Sequence, residues 1–309
     1  MRREEPLVQA LGDRGRAFLK KTRSRRRGET STRAALTARY RRFGRDFVEA
    51  VVRFEERYGG WEIDPKRSEI ELGVGGLLAR DIVPAIDADA RVALVGTGRD
   101  EDLHLALDVD PARAGWLLVS RADRVVGELA TSVEKWVERI AALAAPPFAD
   151  RPYAFEAVSV EDPFTSGLSL QIDAEASDAT FLLASSADVV LERHVLGTPW
   201  LRGRSRVVCR DFAALVRVLE VAHAAGLGGG IAVDAELRDE PLPAPRDEAK
   251  LVRTLRPRTR LVLDDGDSRI YLMDDARIEC LRRDEEGRVI SHTTLRPKRG
   301  VRREYIEPW

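Results

Sequence analysis

Between positions 81 and 110 the chain places Asp81, Asp87, Asp89, Asp100, Glu101, Asp102, Asp108 and Asp110 against only Arg91 and Arg99. Acidic residues at that density either solvate a face or complement a basic partner, steering its approach and occluding a basic groove. The opposite charge dominates Lys20-Lys21-Thr22-Arg23-Ser24-Arg25-Arg26-Arg27-Gly28. Such a run neutralises phosphates on a nucleic acid, meets an acidic protein surface, or stays a solvated tail. It lacks interleaved aromatics for base stacking and has no base-reading motif. Binding of nucleic acid through Lys20, Lys21, Arg23, Arg25, Arg26 and Arg27 would therefore ignore base sequence.

The other chemically suggestive residues point to architecture. Gly226-Leu227-Gly228-Gly229-Gly230 follows a helical pattern and precedes the strand-like Ile231-Ala232-Val233. A phosphate loop needs the reverse order, so that amides at a helix N-terminus face the phosphate. Gly73-Val74-Gly75-Gly76 lacks the Lys-Ser/Thr of a Walker loop. His104, His194, His223 and His292 share no metal-ligand spacing, and neither Cys209 nor Cys280 lies near a histidine in sequence, so no metal or other cofactor is expected. Asp264-Asp265-Gly266-Asp267 reads as a hairpin turn and not as a calcium loop, and no Gly-x-Ser-x-Gly elbow is present.

These residues sit in a chain of 309 residues with 44% hydrophobic and 33% charged positions, a globular composition of a size that suggests two domains. No apolar run approaches the ~20 residues that span a bilayer. No signal region follows the first residues, and two cysteines build no disulfide framework, so a cytoplasmic location is expected. The net charge of −1 hides an asymmetry, because residues 1–46 carry 15 basic and 5 acidic side chains.

The pattern of elements follows. Residues 1–30 read as a basic, flexible arm. Leu36, Tyr40, Phe43, Phe47, Val51, Phe54 and Tyr58 recur at helical spacing and predict one long helix, with a break possible at Gly44 and an end at Gly59-Gly60. Trp61 directly after it reads as packing, with a contact role as the second reading. Short strands are expected at Ile70–Leu72, Val92–Val95, Leu103–Leu107 and Trp116–Val119. A capping box, Thr131-Ser132-Val133-Glu134, opens a helix with Val133, Trp136, Val137, Ile140 and Leu143 on its apolar face. Residues 146–152 read as a proline-rich linker. Beyond it a helix capped by Asp211, a rigid loop at Pro241, Pro243 and Pro245, and a terminal antiparallel meander over 260–294 are expected.

Residues 35–143 resemble the SUKH superfamily, the fold of a yeast cell-wall synthesis regulator and of many bacterial immunity proteins. The resemblance is carried by Phe54-Glu55-Glu56-Arg57-Tyr58-Gly59-Gly60 with Trp61-Glu62-Ile63, by Val95-Gly96-Thr97-Gly98-Arg99-Asp100-Glu101-Asp102, and by Val125-Val126-Gly127-Glu128-Leu129-Ala130-Thr131-Ser132 leading into the last helix. The family's Leu-Pro pair before the first helix has no counterpart here. The resemblance implies a non-enzymatic module that binds a protein, often a toxin, and needs no cofactor.

The expected fold class is thus α+β: a SUKH-like mixed or antiparallel sheet with flanking helices over 31–145, then a second α+β domain over 153–309 ending in a β-meander. The expected function is an immunity-like protein that neutralises a partner such as a basic toxin. Asp87, Asp89, Asp100, Glu101, Asp102 and Trp61 are the candidate contacts. The alternative is a nucleic-acid-associated subunit using the basic arm, with Arg296, Lys298, Arg299, Arg302 and Arg303 as a second basic segment. An enzyme site in the second domain is the third reading, one that a paired histidine or perturbed carboxylates in a cleft would favour.

Overall fold

The computed structural model describes residues 5–64, 70–79, 92–98, 103–121, 124–145, 153–158, 163–196, 204–246, 248–264, 266–298 and 301–306. Two compact units divide the chain. The first holds 1–144 together with 174–182 and 194–202, and the second holds 145–173, 183–193 and 203–309. The division beside Ala144 falls next to the expected linker, whose residues 146–152 lie outside the described ones. It is not a simple cut, because two later segments belong to the first unit.

The first unit opens with α1 (Pro6–Ala10), α2 (Asp13–Thr22) and the two-residue strand β1 (Arg25–Arg26). The flexible arm expected here is therefore corrected. Leu7, Leu11, Phe18 and Leu19 are buried in the core, which repays ordering a segment that charge counting alone would leave in water. The Glu138 carboxylate accepts the Gly12 amide at 2.7 Å and pairs with Arg14, tying α2 down further. The helix ends at Arg23, whose φ of 60° is the left-handed C-cap conformation.

The long helix expected over 32–58 is two helices. Thr32 caps α3 (Arg33–Tyr40) by accepting the Ala35 amide, a 3-10 turn covers Arg41–Phe43, and α4 (Arg45–Tyr58) follows. The break falls at Gly44, with φ 92° and ψ 166°, a backbone region that only glycine adopts freely. The apolar stripe survives the break, since Leu36, Tyr40, Phe47, Val51, Phe54 and Tyr58 all reach the core.

Next come β2 (Trp61–Ile63), β3 (Ile70–Leu72), α5 (Val74–Ala79), β4 (Val92–Thr97), β5 (Leu103–Asp108), β6 (Leu117–Arg121), β7 (Arg124–Ala130) and α6 (Val133–Leu143). The seven strands form one sheet in sequence order, with β1 and β7 at its edges. Its pairings are antiparallel among the described residues, the second of the two sheet types expected here. Short connections account for this between β2 and β3 and from β4 to β7, since a parallel pair needs a long crossover. Alternation sends Ala93, Val95, Leu105 and Leu107 into the main core with α4 and α6. Val92, Leu94, Ala106 and Leu118 join Leu77 of α5 in a second cluster.

At the start of α6 the cap is Ser132, which accepts the Lys135 amide at 3.2 Å. Thr131 and Glu134 of the expected capping box turn elsewhere. Thr131 donates from amide and hydroxyl to Asp178, while Glu134 accepts from Arg57 at 2.8 Å and from the Tyr58 hydroxyl at 2.6 Å.

The second unit contains β8 (Tyr153–Val158), α7 (Pro163–Gly167), β9 (Gln171–Ile172), β10 (Phe181–Ser185), β11 (Val189–His194), β12 (Arg204–Cys209), α8 (Phe212–Ala224), β13 (Gly230–Arg246), α9 (Glu248–Leu255), β14 (Thr259–Asp264), β15 (Ser268–Met273), β16 (Ile278–Arg283), β17 (Val289–Pro297) and β18 (Arg303–Ile306). Residues 181, 182 and 194 at the strand ends group with the first unit. The strand order is β14-β15-β16-β17-β13-β8-β12-β11-β10-β9, with β18 also on β13. The terminal meander is present as expected, with turns at Gly266 (φ 94°) and Gly287 (φ 75°). Asp211 caps α8 by accepting the Ala214 amide at 2.9 Å.

The rigid loop expected at Pro241–Pro245 is instead part of β13. Its pairing with β17 runs through Pro241 and resumes at Arg246 after an irregularity. Prolines donate nothing to a ladder, so the break in register falls where they cluster. Leu255, Tyr271, Met273, Leu281 and Val289 make a core between α9 and the meander.

Candidate functional site

One of the motifs that carry the resemblance, Phe54 to Gly60, lies in the first unit at a corner built from glycines and one carboxylate. Glu55, in the last full turn of α4, is 2% exposed. Its Oε2 accepts the Val74 amide at 2.6 Å, and its Oε1 accepts the amides of Ser31 at 2.7 Å and Gly75 at 3.2 Å. Gly60 (φ 74°) bonds through its amide to the Leu72 carbonyl, while its own carbonyl accepts from Arg27 and Gly28. Backbones lie so close here that a Cβ on Gly73 would stand 2.7 Å from the Cα of Gly59, and one on Gly75 2.3 Å from the Glu29 carbonyl oxygen. Gly60 and Gly73 are thus required by torsion and by contact, and Gly75 by contact.

Trp61 follows this corner and is 3% exposed in the core, with its indole N–H buried and unpartnered. The contact role named for it is corrected, because β2 lies between two other strands and alternation turns Trp61 and Ile63 inward. Asp87, Asp89, Asp100, Glu101 and Asp102 lie outside the described residues. Their positions along the chain are fixed: 87 and 89 fall between α5 and β4, and 100–102 connect the neighbouring antiparallel strands β4 and β5.

The basic run has a definite place. Lys20 and Lys21 are in the last turn of α2, where a cation suits the helix dipole. Arg25 and Arg26 form the edge strand β1, paired with Glu62 and Trp61. Lys20, Lys21, Arg23, Arg25 and Arg27 are exposed. Arg26 is used internally, as its Nε donates to the Gly59 carbonyl at 2.7 Å. Charged residues on a sheet edge also discourage further strands from adding.

A buried ion pair stabilises the end of the first unit. Arg139 stands 3.3 Å from Asp178, with side chains 7% and 3% exposed, and its guanidinium lies 4.0 Å from the centre of the Phe181 ring. Burial alone would raise the Asp178 pKa. Hydrogen bonds from Thr180 and Thr131 and the charge of Arg139 outweigh it and hold the carboxyl below its ordinary range. Burial, and then the Arg139 charge, pull the His194 imidazole down. That ring meets Phe181 edge-on at 5.0 Å. His104 is in β5, 9% exposed, with its Nδ1 unpartnered, and His223 is exposed in the last turn of α8.

Sequence reasoning missed a network in the second unit. Glu279, 1% exposed, accepts from His292 Nε2 at 2.9 Å and from the Thr294 hydroxyl at 2.6 Å through one oxygen, and from Arg277 at 3.1 Å through the other. Burial would raise its pKa, but the bonds from His292 and Thr294 dominate and lower it. Thirteen residues separate the histidine from its carboxylate, and only the β16–β17 register, with Glu279 opposite Thr294, unites them. A carboxylate-oriented imidazole can move a proton. The signal available in advance was a charged residue at an inward position of a strand. No group of metal-ligating side chains occurs among the described residues.

No family model matches the chain, and no curated protein matches it.

Proposed function

We propose that the chain is a non-enzymatic protein-binding module of the immunity type, which binds and neutralises a partner such as a basic toxin. The reading is supported by the resemblance of residues 35–143 to the SUKH superfamily. The observation that carries it is the corner at Glu55, where the end of α4 and Gly60, part of the segment on which the resemblance rests, pack against Gly73 to Gly75. Asp100, Glu101 and Asp102, in the β4–β5 connection, are the proposed contacts, helped by Asp87 and Asp89. Their charge suits a basic groove and would speed encounter at low salt. The test is a pulldown by the tagged full chain from its native cytosol, with nuclease added. A dominant protein that survives nuclease and is lost on changing Asp100, Glu101 and Asp102 to Lys supports the reading. Capture that is absent, or indifferent to the charge reversal, overturns it.

A second reading, nucleic-acid association, is favoured by a separate observation. Lys20, Lys21, Arg23, Arg25 and Arg27 are exposed and have no carboxylate partner among the described residues, in contrast to Arg33 and Arg57 of the same unit. Partners that vanish with nuclease in the same pulldown would favour it.

A further inference from the structure

A cavity of about 400 Å³ in the second unit is lined by Tyr153, Asp275, Ala276, Arg277, Arg296 and Pro297. This falls within the size range of small-molecule sites. Its walls come from the first residue of β8, the β15–β16 turn and the end of β17.

The two arginines differ in how they are held. Arg277 donates from Nε to Asp275 at 2.7 Å and from Nη1 to Glu279 at 3.1 Å. Glu279 is itself fixed by His292 and Thr294, so the Arg277 guanidinium is locked by a chain of bonds reaching into the sheet. Burial favours the neutral form of Asp275, but the bonds from Arg277 outweigh it and keep the carboxylate charged and matched to that arginine. Arg296 is exposed and has no carboxylate partner among the described residues. The residue opposite it in the ladder is Glu236, whose carboxylate instead takes the Lys298 ammonium. Among the described residues one cationic fork is therefore left over at a concave site whose one lining acid is already satisfied. Around it, Pro297, Ala276 and the Tyr153 ring supply apolar wall, and Tyr153 is steadied edge-on by Phe212 at 6.1 Å.

We propose that this cavity binds a small organic oxyanion, a carboxylate or phosphate monoester carrying a flat apolar body, with Arg296 taking the anion and Tyr153 facing the body. A guanidinium offers two parallel donors that match either oxyanion, and a fixed aromatic wall adds contact at little entropic cost. The site is independent of the protein-binding reading above.

The test is titration calorimetry on the full chain at low salt with phenyl phosphate, benzoate, inorganic phosphate and the uncharged benzyl alcohol. Saturable one-site binding of phenyl phosphate or benzoate is expected, and whichever binds tells a phosphate ester from a carboxylate. Inorganic phosphate should bind more weakly and benzyl alcohol not at all. Arg296→Gln should weaken binding about tenfold, as loss of a charge-assisted pair does. The Arg296 side chain is exposed and holds no hydrogen bond or ion pair among the described residues, so this variant should melt as the parent does. Arg302→Gln, at a side chain 87% exposed, is the control and should bind as the parent does. The proposal is overturned if neither organic anion binds below about 10 mM, a range in which any real pocket contact would register. It is equally overturned if Arg296→Gln binds like the parent, or if Arg302→Gln weakens binding as much.

Discussion

The Glu55 carboxylate and the Val74 amide stand 2.6 Å apart, and with that bond α4 holds the start of α5. The same side chain accepts from Ser31 and Gly75, so one carboxylate satisfies three backbone donors from two other segments. Glu55→Ala should therefore cost about 3 kcal/mol or more, since each buried donor left unsatisfied costs roughly 1–3 kcal/mol. Glu55→Gln keeps one acceptor oxygen and should fall between. Urea unfolding of the three proteins checks the order. Equal stability of parent and Glu55→Ala would refute the role given to this residue.

Gly44 and Gly73 separate two reasons for a glycine. A Cβ on Gly44 would meet nothing within 4 Å, so Gly44→Ala costs only the torsional strain of φ 92°, about 1–3 kcal/mol. Gly73 has φ 116° and would also drive its Cβ against the Gly59 backbone. Gly73→Ala should thus be clearly more destabilising than Gly44→Ala in thermal melts, because backbone cannot yield as a side-chain tip does.

Much of this arrangement was legible in the sequence, and the misses have physical causes. The apolar spacing from Leu36 to Tyr58 marked the right face, while Gly44 decided whether it was one helix or two. The meander strands and the Asp211 cap were readable because period-two alternation and capping are local signals. The order of residues 5–26 was not, because it rests on Leu7, Leu11, Phe18 and Leu19 finding a distant core, which outweighs the repulsion visible in the basic run. The pairing of His292 with Glu279 was equally hidden, since register across a hairpin is a tertiary fact.

Asp178 makes a pH prediction. Its folded pKa is lower than its unfolded one, so the unfolded chain binds its proton more readily, and stability rises with pH across that interval. The contribution is complete above about pH 4, the unfolded carboxylate value, and is lost as pH falls through the folded value. Asp178→Asn strands the buried Arg139 charge and should cost roughly 3–5 kcal/mol at neutral pH. The gap between the variant and the parent should narrow in acid. A gap constant from pH 7 to pH 3 would contradict this ion pair.

The basic segment allows stability and binding to be pulled apart at neighbouring residues. Arg26 donates to the Gly59 carbonyl, so Arg26→Ala should lower stability by roughly 0.5–1.5 kcal/mol, the net worth of a hydrogen bond. Arg25 is exposed on the same strand and makes no such bond to the corner among the described residues, and Arg25→Ala should unfold as the parent does. If the segment meets phosphates, anisotropy titrations of a labelled duplex should show the reverse order of importance. Arg25→Ala would then weaken binding, and the slope of log K against log salt would fall by about 0.9 for each phosphate contact removed. Combining Lys20→Ala, Lys21→Ala, Arg23→Ala and Arg27→Ala should flatten the slope further while the melting curve stays in place, because none of these side chains supports the core. A slope unchanged in the combined variant would leave the basic edge with only its structural duty, guarding the sheet against added strands.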